Sequence, residues 1–214
     1  MKKVDLIIFD LDGTLVDSRQ DIANAVNFTL RELGFPQKTV SEITSYVGNG
    51  VKELIERSLG DESEGLSEKA LFLFEGYYAE HSSDYSELYP GVREMLEFFK
   101  AKRKIIVTNR NYEFAVLTLK LKGIYGYFEK IIGGDNVACM KPSGCPLDES
   151  MLSANASKDR TIMVGDMTVD VQAGKNAGVL TCGVTYGLGK REDLIQAKPD
   201  YIIDDISKLR DIIQ

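Results

Sequence analysis

The sequence predicts an α/β protein: a doubly wound parallel sheet with a small helical domain inserted after the first strand. Three observations predict it. Short, nearly continuous apolar runs recur along the chain. They alternate with stretches of helical period. The first two runs are separated by a long segment rich in helix formers and poor in strand signals.

The first run covers residues 4–9 and stops at Asp10. The second, residues 104–108, stops at Asn109, and others follow at 130–133, 161–165, 181–184 and 200–204. Continuous hydrophobicity without alternation suits strands buried on both faces of a parallel sheet. Val92, Met95, Leu96 and Phe99 mark one face of a helix. A shorter helix over 170–177 ends at Gly178. Strands alternating with helices imply a Rossmann-like core, whose sites lie beyond the carboxyl ends of the strands. Within the long gap, residues 21–33, part of 41–58, and 67–80 read as helices. The division that follows is a core of 1–16 and 87–214 with a helical cap of 17–86. The hinges are placed at Val16-Asp17 and Ser82-Ser83-Asp84.

Bulk properties narrow the partners. The chain has 214 residues, enough for a core domain with an insertion, and 43% hydrophobic with 28% charged residues is ordinary for a globular protein. A net charge of −7 argues against nucleic acid and anionic membranes, so an anionic substrate needs a local positive site. No apolar run reaches the roughly eighteen residues of a membrane span. The basic start Met1-Lys2-Lys3 leads into a run too short for a signal peptide, and it ends in acids. Three cysteines, an odd number, are expected to be reduced thiols in the cytoplasm, and Cys139 and Cys145 are spaced too widely for a CxxC pair. The single histidine, His81, cannot support a Cys/His zinc cluster and reads as an exposed helix-end residue. A monomer is the default, with a dimer open.

Phe9-Asp10-Leu11-Asp12-Gly13-Thr14-Leu15 directly follows the first strand. A calcium loop starting at Asp10 would need Gly and Glu where Leu15 and Asp21 stand, so that reading fails. Two carboxylates two residues apart at a strand end can divide labour between a nucleophile or metal ligand and a general acid/base.

Asp10-Leu11-Asp12-Gly13-Thr14 resembles the first motif of the haloacid dehalogenase-like hydrolases. Val107-Thr108-Asn109 resembles the second, Lys141-Pro142 the third, and Gly165-Asp166-Met167-Thr168-Val169-Asp170 the fourth. The helical insertion matches the family's cap of the first type, and the resemblance covers the whole chain. It implies a phosphatase acting on a small phosphorylated metabolite with Mg²⁺. Asp10 is implied as nucleophile and Asp12 as acid/base, with the metal on Asp10, the Asp12 carbonyl and Asp166. Thr108, Asn109 and Lys141 are implied to bind phosphate, with Asp170 in support. Asp12 separates this branch from the dehalogenases, the P-type ATPases and the phosphonate-cleaving members, which lack an Asp there. Tyr46-Val47-Gly48-Asn49-Gly50-Val51, Tyr89-Pro90-Gly91-Val92 and residues 198–204 resemble the phosphoglycolate phosphatase-like branch, which makes Gly48, Asn49 and Gly50 cap specificity candidates. Ser143-Gly144-Cys145-Pro146 and Met167-Thr168 depart from the usual pattern and leave the substrate open. A phosphomutase is the nearest alternative. A phospho-accepting receiver-like module is more distant, because it gains nothing from Asp12.

Overall fold

The computed structural model describes residues 1–214, the side chains of 62 and 63 excepted. Strand β1 (Leu6–Phe9) leads through β2 (Val16–Asp17) into four helices, α1 (Arg19–Glu32), α2 (Val40–Thr44), α3 (Val51–Leu59) and α4 (Ser67–His81). The chain returns through β3 (Glu87–Leu88), which pairs antiparallel with β2 to form a narrow neck. Beyond it, α5 (Val92–Phe98), β4 (Arg103–Val107), α6 (Tyr112–Leu121), β5 (Lys130–Ile132) and α7 (Cys145–Ser153) alternate. They are followed by β6 (Thr161–Gly165), α8 (Thr168–Ala177), β7 (Leu180–Val184), α9 (Arg191–Gln196), β8 (Tyr201–Ile203) and α10 (Leu209–Ile212).

Six strands pair in the order β5-β4-β1-β6-β7-β8, every pairing parallel. From β1 the chain winds outward first through β4 and β5, then through β6, β7 and β8. The point where the winding reverses therefore lies at β1, where such sheets bind ligands. The apolar runs are continuous because both faces are covered. Ile7, Phe9, Ile106 and Val164 pack with Val92, Leu96, Leu119 and Leu209 on one face. Leu6, Ile8, Ile105 and Val107 pack with Leu147, Met151, Ala173 and Ala177 on the other. Burying each large aliphatic side chain contributes about 1.5–3 kcal/mol, which fixes the strand ends from which the site is built.

The helices between β2 and β3 have their own apolar cluster: Ile22, Val26, Leu30, Ile43, Leu54, Ile55, Phe74 and Tyr78. The helical stretch expected within 41–58 is broken into α2 and α3 at Gly48 (φ +128°) and Gly50 (φ +90°), a turn that favours residues without a Cβ. Thr39 begins α2 with reciprocal bonds: its Oγ1 accepts from Glu42 N at 3.2 Å, and the Glu42 carboxylate accepts from Thr39 N at 2.8 Å. Residues 82–84 lie between α4 and β3. They precede a segment held to α1 by the buried Asp21, whose carboxylate accepts from Ser86 N (2.8 Å), Ser86 Oγ (2.6 Å) and Tyr85 N (3.0 Å). His81 closes α4 with its ring on Tyr77 and Nδ1 2.8 Å from the Asp84 carboxylate.

The cysteines depart from the expectation of reduced thiols. Cys139 and Cys145 are joined as a disulfide with Cα atoms 6.1 Å apart, and Cys182 is free and buried. A spacing that excludes a CxxC motif still closes, because the loop before α7 folds back on that helix's first turn. Among the described residues no helix is long and apolar enough to cross a membrane.

Candidate active site

Three neighbouring strands deliver the first groups. Asp10 directly follows β1, Thr108 and Asn109 follow β4, and Asp166 follows β6. The ladder continues one residue beyond β1 and β4: Asp10 N donates to Val164 O and Thr108 N to Ile132 O, both at 2.9 Å. The side chains therefore leave the sheet from fixed backbone. Lys141 arrives on the loop before α7, and Asn109 holds it there. Asn109 Oδ1 accepts from Lys141 N (3.0 Å), and its Nδ2 donates to Lys141 O (2.9 Å). The Lys141–Pro142 peptide is cis. The ammonium of Lys141 lies 2.8 Å from Asp10 and 2.7 Å from Asp170, with about 1% of the side chain exposed. Burial would lower its pKa, but the two carboxylates outweigh burial and raise it.

Asp166 is gripped from three sides. Thr14 Oγ1 donates to Oδ1 at 3.1 Å, and Leu188 N (2.7 Å) and Gly189 N (3.0 Å) donate to Oδ2. Gly13 (φ +83°) makes this closeness possible, since a Cβ there would run into the Asp166 carboxylate. Asp170 sits in the first turn of α8, where its Oδ2 accepts from Met167 N at 2.9 Å. One carboxylate oxygen from each of Asp10, Asp166 and Asp170 lies within 4.8 Å of the other two. Burial and the neighbouring Asp10 and Asp170 push Asp166 up to about 8. Burial raises Asp170 as well, to about 6, against the opposing pull of Lys141. One ammonium among three buried carboxylates leaves negative charge uncompensated, which is costly in a dry interior. A donor set made only of oxygens suits a hard divalent cation.

Asp12 points the other way. Its Oδ1 accepts from Ser18 Oγ and, at 2.6 Å, from Nη2 of Arg110. Arg110 is itself buried, 7% exposed against 12% for Asp12. Its Nη1 donates to Thr118 Oγ1 at 2.8 Å, its Nη2 also to the Tyr78 hydroxyl, and its guanidinium lies 5.2 Å from the Tyr78 ring centre. Burial raises the pKa of Asp12, opposed by the charge of Arg110 and the Ser18 bond.

The helical unit closes over these groups. Asn109 Nδ2 donates to Gly48 O (2.8 Å), Arg110 to Tyr78, and Asn111 Nδ2 to Glu75 (3.1 Å), so three consecutive residues after β4 each hold the helical unit. The chamber beneath is lined by Asp10, Asp12, Thr108, Asn109, Arg110 and Lys141 on the core side. Ile22, Val47, Val51, Leu54, Phe74 and Tyr78 line it on the side of the helical unit. Gly48 and Gly50 reach it. Asn49 faces a neighbouring cleft and donates to Glu53 at 2.8 Å. Sequence reasoning missed Thr14, Ser18, Tyr78 and Arg110. Arg110 was within reach, as the charged residue following a strand-end Thr-Asn pair.

A doubly wound sheet with this carboxylate and lysine cluster at its switch point defines a phosphoryl-transfer class of site. The model of the haloacid dehalogenase-like hydrolase family matches residues 7–184, and the chain belongs to that family. It is 36% identical to the phosphoglycolate phosphatase of Vibrio cholerae, over 100% of this chain and 98% of that protein. It is 35% identical to the phosphoglycolate phosphatase of Aquifex aeolicus, over 96% of each. The crystal structure of a predicted phosphoglycolate phosphatase from Haemophilus somnus superposes with a TM-score of 0.94 at 30% identity, covering 99% of both chains. The protein is a phosphoric monoester hydrolase.

Proposed function

We propose that this phosphatase hydrolyses a small phosphomonoester, phosphoglycolate or a close relative, through a phosphoryl group carried on Asp10, with residues 17–86 acting as the cap. The observation that carries the reading is the opposed setting of two carboxylates in one chamber, Asp10 beside Lys141 and Asp12 beside Arg110 and Ser18. Lys141 holds one oxygen of Asp10 and leaves the other to attack phosphorus as the ester P–O bond breaks. Asp12 gives its proton to the departing alkoxide oxygen. It then takes a proton from the water that attacks the phospho-aspartate, whose P–O bond breaks to release phosphate. The Thr108 hydroxyl and the backbone N–H beside it are placed to hold phosphoryl oxygens, and Asn109 fixes Lys141. Asp10, Asp166 and the main-chain carbonyl of Asp12 would hold Mg²⁺, with Asp170 in support. When bound, the ion offsets the repulsion between carboxylate and phosphate. The apolar cap wall excludes bulk water from the ester.

The test is phosphate release from a panel of small phosphoesters with and without Mg²⁺. Magnesium-dependent release that peaks on a small ester is the expected result. Conversion of a sugar phosphate to its isomer without phosphate release would replace this reading with a mutase.

A further inference from the structure

Arg110 is a buried cation that the hydrolytic steps above do not consume. Among the described residues lining the chamber, the only cations are Lys141 and Arg110. Lys141 is committed between Asp10 and Asp170. Arg110 has one carboxylate partner, Asp12, and two neutral ones, the hydroxyls of Thr118 and Tyr78. Its guanidinium fork presents more N–H groups than these three contacts use. It therefore retains donors for a further anion, and its charge is uncompensated while Asp12 carries the proton meant for the leaving group.

The position of that anion follows from the chemistry. Asp12 must meet the oxygen that leaves phosphorus, so the first atoms of the leaving group lie beside the Asp12 carboxyl. Arg110 Nη2 is 2.6 Å from the same carboxyl. A carboxylate one carbon beyond the ester oxygen would fall within reach of the guanidinium. Without that cation it would face Asp10 and Asp12 in a chamber whose cap side is apolar, where like-charge repulsion is poorly screened. The same apolar wall strengthens an Arg–carboxylate pair by keeping water from both partners.

Resting on the phosphatase reading, the geometry points to Arg110 as the specificity-determining residue that receives a carboxylate on the leaving group, which selects 2-phosphocarboxylates over neutral alkyl phosphates. The guanidinium keeps Asp12 on one edge and takes the substrate carboxylate on another. It thereby pins the ester oxygen next to its proton donor.

The experiment compares 2-phosphoglycolate with ethyl phosphate, which has a methyl group in place of the carboxylate, in the Mg²⁺-loaded full chain. Wild type is expected to favour phosphoglycolate in kcat/KM. Arg110→Met should lower kcat/KM on phosphoglycolate by roughly 10²–10⁴-fold, and on ethyl phosphate by about tenfold or less. Arg110→Lys, which keeps the charge and protects the fold, should restore part of the preference. Equal losses on both esters in Arg110→Met and Arg110→Lys would reduce Arg110 to a support for Asp12 and overturn the assignment. So would a wild-type preference for ethyl phosphate. Absence of magnesium-dependent release from either ester by wild type would overturn the phosphatase reading and this assignment with it.

Discussion

Asp10 and Asp12 are two residues apart, yet different parts of the molecule hold them. Every group around Asp10 comes from the core: Lys141 on the loop before α7, Asp166 after β6 and Asp170 on α8. Asp12 is held by Ser18, which directly follows the neck strand β2, and by Arg110, whose other contacts include Tyr78 on helix α4 of the proposed cap. The proposed nucleophile is thus set by packed strand ends, with Asn109 as its indirect link to the helical unit through Lys141 and Gly48 O, and the proposed acid/base by Arg110, which bonds that unit directly. Rigid placement of the attacking oxygen and cap-linked placement of the proton donor are separate design problems. The chain solves each with its own buried cation.

Substitutions on the two sides should break function differently. The largest effect is expected for Asp10→Asn, which removes the attacking carboxylate. Turnover should fall below detection in a single-turnover assay with the far-UV spectrum unchanged. Measurable turnover with a phosphoryl group on another side chain would end the nucleophile assignment. Asp12→Asn comes next, with kcat lowered roughly 10²–10⁴-fold, the usual worth of a positioned acid/base. The loss should be smaller for aryl phosphates, whose leaving groups need less protonation. An equal loss on alkyl and aryl esters would argue that Asp12 serves placement alone.

Asp166→Asn tests the core side through stability. Burial and its acidic neighbours hold Asp166 at about 8, well above the ordinary carboxylate value of 3.8. The folded state therefore binds this proton more tightly than the unfolded chain. That contribution is fully present below about pH 4 and is lost as pH rises through about 8. The Tm of metal-free wild type should drop by a few degrees more than that of Asp166→Asn between about pH 6 and about pH 8.5. Added Mg²⁺ should raise the wild-type Tm, more so at the higher pH, and leave Asp166→Asn almost unmoved. Equal slopes in the two proteins would show that the carboxylate cluster does not store this repulsion.

The core side was legible in the sequence and the cap side was not, for physical reasons. Strands buried on both faces announce themselves as continuous apolar runs, and the acids that end them stand out because charge is rare next to such runs. Asp10 was visible in that way, whereas Thr108 and Asp166, at the ends of later runs, were assigned through the second and fourth family motifs. Lys141 was visible only through its family motif, because nothing local shows that a lysine before a proline will be buried between two carboxylates. Helix α6 was given no range, because Ala115, Val116, Leu117, Leu119 and Leu121 spread apolar residues around the helix and blur its period. Arg110 and Tyr78 are 32 residues apart, on elements whose contact depends on how the cap closes. No spacing rule reaches that far. The disulfide was hidden for a related reason: its closure depends on the path of one loop.

Tyr78→Phe is expected to have the smallest effect and gives the sharpest test of the division. The Tyr78 hydroxyl accepts from Arg110 while the ring packs in the cap cluster against Phe74 and Phe114. Losing only the oxygen keeps that packing and leaves one buried guanidinium N–H without its partner, at a cost of about 1–3 kcal/mol. Asp12 still has Ser18 and the Nη2 contact of Arg110. If Tyr78 chiefly keeps the cap shut, KM should rise several-fold while kcat stays within about threefold, and Tm should fall by a few degrees. If instead kcat falls toward the level of Asp12→Asn at unchanged KM, the cap orients the proton donor as well as enclosing it. The two sides of the site would then be coupled through Arg110, and the independence inferred for Asp10 and Asp12 would hold only while the cap is closed.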